Sequence, residues 1–182
     1  MLLGTLFAGE VAKSALVAYV HYLGIILCFG SLLFERLTLK VDLDRNQTIS
    51  MIIADVVYGL AGVAILITGI LRVKYFGQGG DFYTANPLFW IKVSLYILVG
   101  LLSLYPTTTY ILWAIPLSKN KLPDISENLV QRFKFIIMTE LIGFATIPLF
   151  ASLMARGVGL GWTIYPYEKS ALLAKIKNID GV

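Results

Sequence analysis

Apolar residues run almost unbroken through four stretches, about 14–34, 52–71, 87–113 and 133–154, and polar residues crowd the segments between them. A helix needs about 20 mostly apolar residues to cross the hydrocarbon core of a bilayer, and all four stretches meet that requirement. The intervening sequences ERLTLKVDLDRNQTIS, RVKYFGQGGDFYTANP and PLSKNKLPDISENLVQR are polar and rich in turn formers. The pattern predicts an all-α fold: a single domain over 1–182 that forms an integral membrane antiparallel four-helix bundle. The tail from 158 to 182 reads as amphipathic, with Trp162, Tyr165 and Tyr167 suited to the membrane interface. The opening MLLGTLFAGEVAKSALV has no basic region before its apolar part and is interrupted by Glu10, so it reads as a lead-in to the first span.

Within the spans the small and polar residues are not scattered. In the first, His21, Gly24, Cys28, Ser31 and Glu35 follow one another in steps of three and four, which places them along one helical face. In the second, Asp55, Gly62 and Gly69 recur at sevens and lead to Arg72. The third opens with Asn86 as N-cap and Pro87 in the first turn, and its seam reads Lys92, Tyr96, Val99, Ser103, Pro106 and Tyr110. Pro106 frees a backbone carbonyl, and Thr107, Thr108 and Thr109 are at hand to serve it. In the fourth, Glu140 and Gly143 share a face and Pro148 bends the run. Helices with one such seam and otherwise apolar flanks turn the seam toward each other.

Composition narrows the class. The chain of 182 residues is 58% hydrophobic and 14% charged, against about 25% charged residues in an ordinary soluble domain. The net charge of +4 is spread over short loops, which points to membrane orientation and away from nucleic-acid binding. Arg36, Lys40, Arg45, Lys119, Lys121, Arg132 and Lys134 outnumber the basic residues near the other ends of the spans, so the first and third loops are expected on the cytoplasmic side. The lone Cys28 excludes an internal disulfide and any paired-cysteine metal or redox motif. GQGG at residues 77–80 lacks the Lys-Ser/Thr of a phosphate loop and reads as a turn.

Charged groups inside spans are rare and mark either function or helix-to-helix bonding. At 1.5 Å of rise per residue, His21 falls roughly 10 Å and Lys92 roughly 8 Å from the side bearing the termini. Arg72 and Arg156 lie at the rim of that side, and Glu35, Asp55 and Glu140 lie toward the other. The sequence thus separates a basic cluster from a carboxylate cluster. His21 reads either as a metal ligand or as a hydrogen bond between helices. Lys92 reads as its partner or as a side chain reaching up to the headgroups. Asp55 and Glu140 read as proton sites or as polar links between helices.

The blocks HYLGIILCFGSLLFERL, TGILRVKYFGQGGDFYTANPLFWIKVSLYILVGLLSLYPT and IPLFASLMARGVG resemble a bacterial four-helix integral membrane family, domain of unknown function 2214. A more distant likeness is to the HemJ-type protoporphyrinogen oxidases. They share a first-helix histidine followed by a glycine-containing run ending in Arg, and a lysine early in the third helix; His21, Gly30, Arg36 and Lys92 correspond. This chain lacks that family's Trp and Pro in the first-helix run. The likeness implies haem b with His21 as the iron ligand, Lys92 beside it, and a tetrapyrrole as substrate of an oxidoreductase. Arg72 and Arg156 would then meet the propionates. The second axial position is left open among Lys92, Met154, a neighbouring copy's His21 and no ligand at all.

Two readings follow for a multi-pass protein of the bacterial inner membrane or an internal energy-transducing membrane. One is a haem-linked membrane redox protein, alone or as a homo-oligomer. The other is a non-enzymatic component, a small transporter or an assembly factor, that uses its buried carboxyls as proton sites or polar links.

Overall fold

The computed structural model describes residues 2–159, with side chains from residue 9 onward. Trp162, Tyr165 and Tyr167 of the amphipathic tail, and most of that tail, lie outside the described residues. Five α-helices follow in order: α1 Leu2–Thr38, α2 Arg45–Leu71, the short α3 Gly80–Thr84, α4 Pro87–Ser118 and α5 Glu127–Ala155. A π-helical turn, Arg72–Phe76, continues α2. Four segments are long and apolar enough to cross a membrane: Gly9–Thr38, Arg45–Phe76, Pro87–Ser118 and Glu127–Ala155. There is no strand among the described residues, so the chain is an all-α membrane bundle.

The helices are longer than the apolar runs alone suggest, and local chemistry explains where each begins. The polar residues Arg45–Ser50 are helical because Asp44 closes a capping box: its Oδ1 accepts from Gln47 N at 2.8 Å, and Gln47 Oε1 accepts from Asp44 N at 3.2 Å. Asn86 caps α4, its Oδ1 accepting from Leu88 N at 2.9 Å with Pro87 at the first helical position. Ser126 caps α5 through Leu129 N. The segment before Ser14 is no separate lead-in but part of the same α1 helix.

Two proline positions lie inside α4, Pro106 and Pro116, and the helix runs through both to Ser118. The threonines after Pro106 do other work than the sequence suggests. Thr108 and Thr109 both donate to Tyr105 O at 3.0 Å rather than to the carbonyl that proline frees. Thr107 leaves its own helix altogether and bonds to Asp55.

The bundle is a closed ring in which α1 packs on α2, α2 on α4, α4 on α5 and α5 on α1. Its centre is aromatic toward the first and third loops, where Tyr110, Trp113 and Phe133 meet edge-on or stacked at 5.1–6.3 Å between ring centres. Cys28, Met51, Phe133, Ile137 and Tyr110 have no exposed surface. Outward, Ile26, Leu60, Leu101, Ile111 and Ile142 stand more than half exposed on all four long helices. Apolar side chains turned outward around the whole ring need lipid, so the protein is a multi-pass membrane protein set in a bilayer.

Polar links tie the two ends of the bundle. Arg45 Nη1 at the start of α2 donates to Leu117 O at 3.2 Å and to Asn120 Oδ1 at 2.8 Å, joining the first loop to the third. At the opposite end Asn86 Nδ2 donates to Val158 O at 3.0 Å, holding the start of α4 to the residues after α5.

Candidate functional site

The polar seams do turn inward, and they deliver titratable groups to two separate levels. Toward the first and third loops stand Glu35 on α1, Asp55 on α2 and Glu140 on α5, with 2%, 7% and 1% of their surfaces exposed. The three are within electrostatic reach of one another, Glu140 acting on Glu35 and Asp55 acting on both. Tyr110 Oη on α4 donates to Glu35 Oε2 at 3.2 Å, and Thr107 Oγ1 donates to Asp55 Oδ1 at 2.7 Å. The hydroxyls of Tyr58 and Tyr110 are within electrostatic reach of Glu140.

Glu35 Oε1 and Glu140 Oε1 are buried with no hydrogen-bond partner among the described residues. A buried polar atom without a partner costs free energy, and a buried carboxylate costs far more. No basic side chain relieves these acids: the one ion pair among the described residues joins Lys13 to Glu10 on the exposed start of α1. Arg36 is adjacent in sequence to Glu35, yet its Nε is itself buried without a partner.

The second level lies near the other end. His21 Nδ1 is 2.9 Å from Thr68 Oγ1 on α2. Thr68 spends its own proton on Ala64 O at 2.6 Å, so its oxygen is an acceptor for the imidazole. With the Thr68 proton on Ala64 O, the tautomer that matches this contact carries its proton on Nδ1. Gly69 lies beside the imidazole, where an added Cβ would meet His21 Cε1 at 3.6 Å, an ordinary contact. Arg72 lies over the Tyr22 ring at 5.2 Å, with Nη2 3.5 Å from Tyr22 Oη. Lys92 Nζ lies over the rings of Phe89 at 5.2 Å and Tyr83 at 6.0 Å. Arg72 and Lys92 both act electrostatically on His21, and Arg72 acts on Lys92.

Arg156 takes no part in this group. It is exposed and turns back along α5, where Nη1 bonds to the Ser152 hydroxyl and lies 3.4 Å from Ser152 O. The rotation of α5 after Met154 carries it away from the bundle interior. Gly30, set in correspondence with the glycine of the haem-binding likeness, is on the outer face of α1 with nothing near it. Thr68, Thr107 and Tyr58 were not evident as site residues. Threonine and tyrosine are common inside apolar helices, and only the register between helices shows which carboxyl or imidazole each one meets.

Among the described residues no three His, Cys, Asp or Glu side chains gather closely enough to hold a metal ion. The concavities line the outer grooves, one between α2 and α4 beside Arg45 and Ile49, the other between α1 and α2 beside Gly24 and Leu60. Both are shallow and apolar and belong to the lipid-facing surface.

No curated protein and no solved structure matches this chain. Residues 13–159 match the family model described as "Predicted membrane protein (DUF2214)", which takes in all four membrane-crossing helices and both polar levels, and the chain belongs to that family.

Proposed function

We propose that this protein is a non-enzymatic membrane component, of the small-transporter kind, whose bundle holds exchangeable protons on Glu35, Asp55 and Glu140. The observation that carries the reading is the pair of buried carboxyl oxygens, Glu35 Oε1 and Glu140 Oε1, left beside a third acid without a hydrogen-bond partner or a paired cation among the described residues. Three carboxylates in an apolar interior repel each other and lack solvation, so the arrangement suits a group that shares fewer charges than it has members. Tyr110 and Thr107 supply hydroxyls that can pass a hydrogen bond along as protons come and go. Acids used only to hold helices together would instead be fully hydrogen-bonded.

The test is proton movement in vesicles containing the purified protein, under an imposed potential. The wild type is expected to carry protons, with Glu35→Gln and Glu140→Gln reducing the rate at least tenfold. Infrared difference spectra should show a carboxylic-acid band that Glu35→Gln diminishes. Wild-type vesicles no leakier than empty ones, together with no such band, would overturn the reading.

A second reading is supported by the His21–Thr68 bond. An imidazole held through Nδ1 by a neighbouring hydroxyl is oriented much as a metal-ligating histidine is by its outer partner. The residues present would offer haem one ligand, His21, and that haem would supply electron transfer. Lys92 is engaged with two aromatic faces, and Met154 is buried near the end of α5. An absorption spectrum of protein expressed with ample haem separates the readings: a Soret band lost in His21→Ala favours this one, and its absence leaves the proton reading alone.

A further inference from the structure

The basic level has a property that neither reading uses. Arg72 and Lys92 stand at the same end of the bundle, joined through the packing of Tyr83 against the Arg72 turn, with no carboxylate paired to either among the described residues. Asp81, the acid on the short helix α3, is exposed and makes no ion pair. Aromatic faces are their protein partners instead: Tyr22 for Arg72, and Phe89 with Tyr83 for Lys92. Such contacts orient a cation and leave its N–H donors available.

The backbone is shaped to bring the two together. Arg72 opens the π-helical turn Arg72–Phe76, a distortion found mostly in short functional segments. Gly77 follows, and a Cβ there would collide with both Arg72 O and Tyr83 Oη. Only glycine therefore lets Tyr83, which carries Lys92 above its ring, fold back over the Arg72 turn. Around this level Tyr19, Tyr22, Tyr75 and Trp90 are more than half exposed, and Trp90 Nε1 donates to Thr84 O at 3.0 Å. Exposed tyrosines and tryptophan at the ends of spans mark the depth of the lipid headgroups.

We propose that Arg72 and Lys92 form a clamp for a phosphate group, and that its occupant is the phosphodiester of an anionic phospholipid. The guanidinium offers a planar pair of donors and the ammonium a point charge, a combination suited to phosphate oxygens. A lipid fits better than a soluble anion because the clamp opens among interfacial aromatics, where headgroup phosphates are concentrated. The site is at the opposite end from the carboxyl cluster and stands independently of the proposed proton function.

The experiment uses the full chain in neutral detergent, titrated with phosphatidylglycerol, phosphatidylcholine or inorganic phosphate while thermal unfolding is followed. Phosphatidylglycerol should raise the unfolding temperature of the wild type, and phosphatidylcholine should not. Arg72→Gln and Lys92→Gln should each weaken the apparent lipid affinity about tenfold, as loss of one charge-assisted bond does. Arg156→Gln, at an exposed position engaged with Ser152 on its own helix, should retain the full response. If Arg72→Gln fails to fold, Lys92→Gln carries the comparison, with Lys92→Arg expected to restore binding. Equal responses in all variants would overturn the clamp, and phosphatidylcholine as effective as phosphatidylglycerol would overturn an anionic lipid as its occupant. Inorganic phosphate as effective as the lipid at equal concentration would overturn the lipid as its occupant.

Discussion

Tyr110 Oη and Glu35 Oε2, 3.2 Å apart, link α4 to α1, two helices that stand diagonally in the bundle and otherwise scarcely touch. The ring of Tyr110 is packed edge-on against Trp113 and Phe133, so its hydroxyl is aimed by aromatic packing before any acid arrives. Tyr110→Phe keeps that packing and removes only the donor. It should lower stability by about 1 kcal/mol, near the upper range for hydrogen bonds between membrane helices. Unfolding in mixed detergent measures this, and the loss should vanish when Glu35 is already Leu, which cannot accept the bond. A Tyr110→Phe protein as stable as the wild type would mean that the aromatic cluster alone positions Glu35.

Asp55 and Thr107 make the corresponding link between α2 and α4 at 2.7 Å. Asn at position 55 can still accept from Thr107, whereas Leu cannot, so Asp55→Asn should be tolerated better than Asp55→Leu. Thr107→Val should cost about as much as one membrane hydrogen bond, roughly 0.6–1.7 kcal/mol. In a double-mutant cycle, Thr107→Val and Asp55→Leu together should cost less than the sum of their separate effects. Strict additivity would remove the bond from the account.

How far the sequence revealed these features depends on the kind of information each requires. The four spans and their inward seams follow from spacing along single helices, and His21, Gly24, Cys28, Ser31 and Glu35 are turned inward except for the half-buried imidazole. Partnerships across helices need the axial register of one helix against another, which spacing does not contain. Hence Thr107 reads as a carbonyl partner next to Pro106 and in fact serves Asp55. Arg156 shows a different limit. It caps a helix, and the two residues of rotation beyond Met154 decide whether it faces the bundle or the outside.

Glycines illustrate the same limit and give a sharper test. A Cβ on Gly24 would meet Ile65 Cγ1 at 2.8 Å and Ala61 O at 3.2 Å, whereas one on Gly30 would meet nothing. Gly24→Ala should therefore push α1 away from α2, at a cost of about 1–3 kcal/mol. Gly30→Ala should be neutral or slightly stabilising, since alanine is the better helix former by up to about 1 kcal/mol. Thermal unfolding of the two variants side by side decides it. Equal effects would show that α1 and α2 are farther apart than the contact at Ile65 requires.

At the loop end, Arg45 holds both Leu117 O and Asn120 Oδ1, and Asn120 has φ of 56°. That backbone conformation suits glycine or asparagine and strains a β-branched residue. Asn120→Val should thus lose the bond and strain the turn, while Asn120→Gly loses the bond alone. Limited proteolysis within 119–126 should accelerate in the order wild type, Asn120→Gly, Asn120→Val. Identical cleavage of all three would mean that the end of α4 frays without regard to this link.

Topology can be read with the cysteine the chain already has. Cys28 has no exposed surface, and its Sγ is 3.6 Å from Tyr58 O, so it should resist a membrane-impermeant maleimide and need not be removed. Asp42→Cys and Lys121→Cys place reporters in the first and third loops, both exposed and both at the end tied by Arg45. Gln78→Cys places one in the second loop, at the opposite end of α2. In sealed vesicles of one orientation the first two should label together and the third should not; in inverted vesicles the result should reverse. Arg36, Lys40, Arg45, Lys119, Lys121, Arg132 and Lys134 further predict that the first two face the cytoplasm. Labelling of residues 42 and 121 from opposite sides would break the four-span arrangement itself, whereas labelling of both from the outside would overturn only the charge-based orientation.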